Sequence, residues 1–178
     1  MAKVLISIGS NIEPSQHIRR AVRTLMNEFE QVRLSSVYES RSVGFSGDNF
    51  LNLVAYVDTN LDVAQLQGLF KRIEIAQGRD LDAAKFTPRT IDLDILLYDD
   101  LVQAACSDND QPQLPRAEIT YNAFVLRPLA ELVPNWKHPL LQQSYADLWR
   151  DFTASPQAEE QSLWPVVFDW DNQSLPTS

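Results

Sequence analysis

Hydrophobic and polar residues follow two different periods along the first part of the chain. A period of two is typical of a strand with one buried face, and a period near 3.6 is typical of an amphipathic helix. The period of two marks residues 4–9, 32–40, 50–59 and 91–98, and the longer period marks residues 14–29 and 62–78. The predicted order is therefore strand, helix, strand, strand, helix, strand.

That order is typical of an α+β protein. It predicts a ferredoxin-like βαββαβ core, in which an antiparallel sheet carries both helices on one face. We expect this core to take in about residues 3–100. The length of 178 residues suits a single domain, 1–178.

The remaining residues, 101–178, keep no sustained hydrophobic period. They are rich in Gln, Ser, Pro and Trp, so we expect an irregular C-terminal extension. Short helices are predicted near residues 121–132 and 144–151, and a strand near residues 164–168.

Two aspartates, Asp92 and Asp94, interrupt the apolar sequence IDLDILLY at residues 91–98. Side chains alternate along a strand, so both carboxylates are expected on one face, roughly 6–7 Å apart, together with Leu96 and Tyr98. The opposite face is expected to carry Ile91, Leu93, Ile95 and Leu97.

Two carboxylates this close repel each other unless a positive charge lies between them. Mg²⁺ prefers oxygen ligands and is usually held by one or two carboxylates together with phosphates and waters. The cations that precede the pair are Lys71, Arg72, Arg79, Lys85 and Arg89. Arginine binds phosphate through two nitrogens at once, so the combination fits an Mg-nucleotide site. A solvated sheet face with Arg89 as an ion-pair partner is the alternative.

The formal net charge of -9 argues against general nucleic-acid binding, including binding by an RRM-like sheet, because such binding needs a basic surface. None of the five glycines lies in the phosphate-binding pattern G-x-x-x-x-G-K, so any ATP chemistry uses another scaffold. The two histidines, His17 and His138, are far apart in sequence, and we expect structural or solvent-facing roles for them.

The chain contains no apolar run of roughly 18 residues, so no membrane span is expected. Its N-terminus lacks the layout of a signal peptide, and its single cysteine, Cys106, cannot form an internal disulfide. These features predict a cytoplasmic protein.

Five motifs occur in a fixed order: GSN after the first strand, YES followed by NFLN, IE followed by QGR, PRTIDLDILLYDD, and FVLRPLAELVP at residues 124–134. Through them the chain resembles the 6-hydroxymethyl-7,8-dihydropterin pyrophosphokinase family over about residues 4–134. The resemblance implies a ferredoxin-like core. It also implies transfer of the β,γ-pyrophosphate of ATP to the hydroxymethyl oxygen of the pterin, with two Mg²⁺ ions, in folate biosynthesis. No protein partner is implied.

The resemblance also implies roles for individual residues. Asp92 and Asp94 would bind the metal ions, and with Arg79 and Arg89 they would form the catalytic set. The pterin would be bound by Ser40, Val43, Phe50, Asn52 and Phe124, with the two phenylalanines on either side of its ring. ATP would be bound by Arg79, Lys85, Arg89 and Arg116, and a loop at residues 80–87 would close over it.

Alternation along the strand at residues 50–59 supports part of this assignment. It places Phe50 and Asn52 on the face opposite Leu51 and Leu53. An aromatic ring beside an amide suits a flat polar heterocycle. The alternative is that Phe50 is a core residue and Asn52 an edge residue.

The chain departs from the family mainly at phosphate-binding positions. Leu81 and Asn122 stand where arginines are usual, and Arg116 stands where a histidine is usual. Losing one charge-assisted contact costs on the order of 1.5–3 kcal/mol. Three alternatives therefore stay open: an active enzyme with an altered ATP clamp, a paralogue acting on a related pterin, and a non-catalytic pterin- or nucleotide-binding module.

Overall fold

The structure of the protein, a computed structural model, describes residues 1–41, 48–78 and 90–171. These residues form six strands and four α-helices. In chain order they are β1 (Ala2–Ser10), α1 (Pro14–Glu28), β2 (Val32–Leu34), β3 (Val37–Ser40), β4 (Phe50–Thr59), α2 (Val63–Ala76), β5 (Asp92–Tyr98), α3 (Ala123–Leu132), α4 (Tyr145–Thr153) and β6 (Leu163–Val166). No helix in these ranges has the length and hydropathy needed to cross a membrane.

The strands form one sheet in the order β5-β1-β4-β3-β6, and every pair is antiparallel. The strand predicted at residues 32–40 is divided into β2 and β3, which pair one after the other with β4. Ser35 lies at the division. Its backbone N–H donates to the Val54 carbonyl at 2.9 Å, and its hydroxyl accepts from the Val54 N–H at 2.9 Å. A side chain therefore replaces one backbone partner, which interrupts the ladder without leaving β4 unsatisfied.

Helices α1 and α2 pack on the same face of the sheet, as predicted. Their apolar stripes meet Val4, Ile6 and Ile8 of β1 in a buried cluster. Helix α2 begins with a reciprocal capping box between Asp62 and Gln65, as expected for an aspartate at that position.

Helices α3 and α4 cover part of the opposite face. Leu5, Val54 and Tyr56 form a second buried cluster with residues of these helices, including Leu126 and Tyr145. The C-terminal extension is therefore more regular than its sequence pattern indicates, and the sheet lies between two helical layers. The predicted short helices correspond to α3 and α4.

A β-bulge changes the direction of side chains near the end of β5. The register with β1 shifts between Leu5 and Ile6, which leaves an extra residue in β5. Leu96 and Leu97 consequently both pack on the α3–α4 face, and Tyr98 packs on the α1–α2 face. The expectation that strict alternation extends to Leu97 and Tyr98 is wrong, because the bulge inverts it.

The end of the described chain wraps around one edge of the sheet. Strand β6 pairs with β3, and Phe168 and Trp170 then pack against the α1–α2 cluster. Arg19 of α1 holds this segment through an ion pair with Asp171 at 3.1 Å.

The bulge makes Tyr98 a stabilising residue of the α1–α2 face. Its hydroxyl donates to the Leu61 carbonyl at 2.8 Å. We expect Tyr98→Phe to lower the free energy of unfolding by about 1 kcal/mol, measured by denaturant titration. Tyr121→Phe is the control, because the Tyr121 side chain is 47% exposed. An unchanged free energy of unfolding in Tyr98→Phe would contradict a stabilising role for this hydrogen bond.

Candidate active site

The ladders align one residue from each of four strands in a single row. Asp92 of β5 lies opposite Gly9 of β1, Gly9 lies opposite Asn52 of β4, and Asn52 lies opposite Tyr38 of β3. Residues directly opposite each other in antiparallel strands share a face. Neighbouring strands lie about 4.8 Å apart, so the Asp92 and Asn52 backbones are separated by roughly 10 Å.

The neighbouring rows extend this surface in both directions. Asp94 lies opposite Ser7 on the side of the apolar α3–α4 cluster, and Phe50 lies opposite Ser40 on the other side. Period two then places both aspartates, Asn52, Phe50 and Ser40 on a single face. The structure thus brings the predicted metal-binding and pterin-binding positions of these strands onto one side of the sheet.

The first turn of α3 contributes Phe124 to the same region. Phe124 is partly buried against the α3–α4 cluster. It lines a cavity of about 260 Å³ together with Ser40, Arg41, the first residue of α3, and residues 159–163. Two of the predicted pterin-binding residues, Ser40 and Phe124, therefore share a cavity.

Gly9 leaves space for the Asn52 side chain. A Cβ atom at Gly9 would lie 2.5 Å from Asn52 Oδ1. Asn52 is only 5% exposed, so its carboxamide has little room to move. Asn52 can therefore occupy its observed position only because Gly9 has no side chain.

The GSN turn lies beside the ends of two segments that approach the site. The Ser10 hydroxyl donates to the Thr90 carbonyl, and the Asn11 carboxamide donates to the Asp48 carbonyl at 3.4 Å. His17 secures the same turn, since its Nδ1 lies 2.6 Å from the Ile12 carbonyl oxygen and donates to it. His17 therefore has a structural role.

His138 also has a structural role. Its Nδ1 accepts from the backbone N–H groups of Leu140 and Leu141, both at 3.2 Å. Burial lowers the pKa of this imidazole, which favours the neutral form that can accept at Nδ1.

Strand β5 is held from the outside by two charged side chains. The Glu74 carboxylate of α2 accepts from the Leu93 N–H at 3.0 Å, between the two aspartates. The Arg116 backbone N–H donates to the Leu96 carbonyl at 3.0 Å, and Arg116 Nε donates to the Ile95 carbonyl at 3.1 Å. These contacts use backbone groups of an edge strand, and they position the segment that carries the carboxylate pair.

The Arg116 side chain also forms an ion pair with one of those aspartates. Its Nη2 lies 3.3 Å from Asp94 Oδ1, and the Asp94 side chain is 42% exposed. Glu118 adds negative charge nearby. Its pKa is raised mainly by burial and then by the charge of Asp94; Arg116 opposes this rise and Asp92 adds to it. Among the described residues, three carboxylates and the Arg116 guanidinium therefore share one electrostatic environment near the beginning of β5.

Several predicted site residues lie outside the described residues: Val43, Arg79, Leu81, Lys85 and Arg89, with the loop at residues 80–87. Asn122 is the N-cap residue of α3 and makes no side-chain capping hydrogen bond.

Sequence reasoning missed Gly9, Glu118 and Gln161 at this site. The GSN motif was a signal for Gly9, and the position of Glu118 two residues after Arg116 was a weak signal. Gln161 had none, because its partners at Tyr121 and Ala123 are distant in sequence.

Comparisons with known proteins agree with this architecture. A model of the family described as 7,8-dihydro-6-hydroxymethylpterin-pyrophosphokinase (HPPK) matches residues 5–134. The chain is 33% identical over 159 residues to a 2-amino-4-hydroxy-6-hydroxymethyldihydropteridine pyrophosphokinase of Aquifex aeolicus, covering 88% of this chain and 96% of that protein. It is 36% identical over 141 residues to the protein of the same name from Pseudomonas aeruginosa, covering 77% and 84%.

A solved structure shares the fold. The wild-type HPPK-DHPS of Plasmodium falciparum with pteroate matches with a TM-score of 0.69 at 12% identity, over 89% of this chain. The present chain spans only 44% of that chain.

These findings define the protein as an enzyme of the pyrophosphokinase class, a diphosphotransferase. Within that class, the chain belongs to the HPPK family.

The close approach at Gly9 gives a test of the site geometry. We expect Gly9→Ala to lower the free energy of unfolding by about 1–3 kcal/mol, because the new methyl group forces Asn52 out of its position in a packed environment. Denaturant titration measures this change.

Gly68→Ala on α2 is the matched control. There a new Cβ would come no closer than 3.5 Å, to the end of the flexible Arg72 side chain. Helix propensity favours alanine at this position by about 0.5–1 kcal/mol. Equal effects of the two substitutions would contradict the steric role of Gly9.

Proposed function

We propose that this protein transfers the pyrophosphoryl group of ATP to the hydroxymethyl group of 6-hydroxymethyl-7,8-dihydropterin. The products would be AMP and the pterin diphosphate, and the reaction would be a step of folate biosynthesis. One observation carries the proposal: the carboxylate pair of β5 and the Phe50–Asn52 pair of β4 share one face of the sheet. Family membership supports the same reaction class.

The pterin would bind between Phe50 and Phe124. Aromatic faces suit a flat heterocycle, and the Asn52 carboxamide offers both a donor and an acceptor to its polar edge. Ser40, opposite Phe50 in the ladder, would lie at the rim. Val43 is proposed for the same edge from the resemblance alone.

The donor set at β5 fits Mg²⁺. Asp92 and Asp94 supply oxygen ligands that are partly exposed and side by side on one face. In the described part of the chain, no cluster of three or more His, Cys, Asp or Glu side chains could hold a metal by itself. Mg²⁺ commonly takes only one or two protein carboxylates, with phosphates and waters as its other ligands. We propose two such ions, bound by Asp92 and Asp94 together with ATP.

Mg²⁺ bound by these aspartates would neutralise charge on the phosphates and on the leaving AMP. The contribution of the chain is positioning and electrostatics. Asp92 and Asp94 would hold the metal ions against the triphosphate over β5, and the pterin residues would hold the hydroxymethyl oxygen for in-line attack at the β-phosphorus. The apolar α3–α4 cluster borders this surface and reduces access of water from one side.

The phosphate clamp is proposed to include Arg116, with Arg79, Lys85 and Arg89. In the structure Arg116 forms an ion pair with Asp94. Once Asp94 binds a metal ion, its carboxylate would release the Arg116 guanidinium. We propose that Arg116 binds a phosphate oxygen in place of Asp94 when Mg-ATP binds. Its guanidinium would then keep one charge-assisted hydrogen bond in both states. Arg79 and Arg89 remain proposed catalytic residues.

The core is proposed to be ferredoxin-like. The order β5-β1-β4-β3 supports this if β2 and β3 count as one interrupted strand. A cytoplasmic location also stays a prediction.

Asp94 provides the central test of the reaction. With Mg-ATP and the hydroxymethyl pterin, the wild-type protein should release AMP rather than ADP. Asp94→Asn keeps the shape of the side chain and removes its charge, so we expect AMP release at least about a hundredfold slower. Chromatography of the nucleotides measures both results.

Asp108→Asn is the control for that substitution, because Asp108 lies in the exposed turn Ser107–Asn109, outside the site. Undiminished AMP release by Asp94→Asn would exclude the proposed metal ligand. Tight pterin binding without AMP release by the wild type would favour the non-catalytic binding module.

Arg116 provides a separate test of the ATP clamp. We expect Arg116→Gln to raise the KM for ATP about tenfold, through loss of one charge-assisted hydrogen bond, with no change in the KM for the pterin. Arg150→Gln is the control, because Arg150 is an exposed arginine that pairs with Asp147 on α4. An unchanged KM for ATP would leave Arg116 as a counter-ion of Asp94 only.

A further inference from the structure

The C-terminal segment returns to the proposed pterin site although it lies beyond the region that defines the family. The family model ends at residue 134. Residues 159–163 nevertheless form one wall of the cavity that contains Ser40 and Phe124. The segment therefore borders the site from a part of the chain that the family pattern does not describe.

Gln161 connects this wall to the beginning of α3. Its Oε1 accepts from the Ala123 N–H at 2.8 Å, and its Nε2 donates to the Tyr121 carbonyl at 2.8 Å. The first N–H groups of a helix have no partners within the helix and need an external acceptor. The N-cap residue, Asn122, supplies no side-chain hydrogen bond. Gln161 thus performs a capping role across 38 residues of sequence.

The same segment is tied to the opposite side of the cavity. Leu163 of β6 pairs with Ser40 of β3, and Trp164 Nε1 donates to Glu39 Oε2 at 3.0 Å. Gln161 lies two residues before that ladder, so its amide is held at a defined distance from β3. One short segment therefore spans from the Ser40 side of the cavity to the Phe124 side.

We propose that Gln161 is a positioning residue for Phe124, and that the residue 159–163 wall thereby sets affinity for the pterin. This inference rests on the proposed function, because it assumes that Phe124 contacts the pterin ring. Phe124 directly follows Ala123, whose N–H is bound by Gln161. Release of that hydrogen bond frees the first turn of α3 and displaces the Phe124 ring from the cavity that it lines with Ser40.

The test compares Gln161→Ala with the wild type in two measurements. We expect the dissociation constant of 6-hydroxymethyl-7,8-dihydropterin, measured by calorimetry, to rise about tenfold, the equivalent of one or two lost hydrogen bonds. In steady-state kinetics, the KM for the pterin should rise equally, while kcat and the KM for ATP stay unchanged. A residue with only a structural role would not separate these constants.

Two further variants sharpen the comparison. Gln161→Glu keeps an acceptor for the Ala123 N–H and loses the donor to Tyr121, so it should restore most of the pterin affinity. Gln157→Ala, at an exposed position in the turn Pro156–Glu160, should match the wild type.

The outcomes separate this inference from the function on which it depends. If the wild type neither binds nor converts the pterin, the proposed function fails. If the wild type does both and Gln161→Ala binds the pterin equally well, the positioning role is overturned. The positioning role is also overturned if Gln161→Ala lowers kcat and weakens the binding of both ATP and the pterin to an extent that matches the loss of folded protein. Thermal unfolding measures that loss.

Discussion

Antiparallel pairing of β1 with β4 on one side and with β5 on the other is the constraint on which the site depends. A slip of one residue in a ladder moves every side chain of a strand to the other face. Such a slip in β5 would direct Asp92 and Asp94 into the α1–α2 cluster and expose Leu93 and Ile95, which are almost fully buried. Burial of two carboxylates without partners is costly, and so is exposure of these apolar side chains. Burial of the apolar face therefore fixes the strand register, which in turn keeps the polar residues on the opposite face.

The two halves of the α3–α4 side of the sheet have different tasks. The half around Leu5, Val54 and Tyr56 is covered by helices and stabilises the fold. The rows of Gly9 and Ser40, with Asp94 in the adjoining row of Ser7, carry the polar positions. The first turn of α3, with Phe124, lies at the boundary between the two halves. Because one helix both closes the core and contributes an aromatic ring, packing of the core and geometry of the cavity are coupled.

The fold and the site were predictable from sequence to different extents. The strands, α1 and α2 follow from their periods, and the Asp92–Asp94 and Phe50–Asn52 pairs follow from alternation. Alternation could not reveal the bulge before Leu97, because a bulge changes the pairing partner and leaves the local pattern apolar. Nor could it reveal the Asp94–Arg116 ion pair or the Gln161 contacts, since each joins residues that only the folded chain brings together. The arginines of the phosphate clamp stay predictions, because Arg79 and Arg89 lie outside the described residues.

Strand β6 also affects how the protein meets other copies of itself. Without it, β3 would present unpaired backbone groups at the edge of the sheet, and such edges template association between chains. β6 pairs with β3 over four residues, one of which is Pro165. Proline has no N–H to offer a further strand, and it is accepted mainly at the outermost position of a sheet. The segment that forms one wall of the cavity therefore also protects the β3 edge of the sheet against edge-to-edge association.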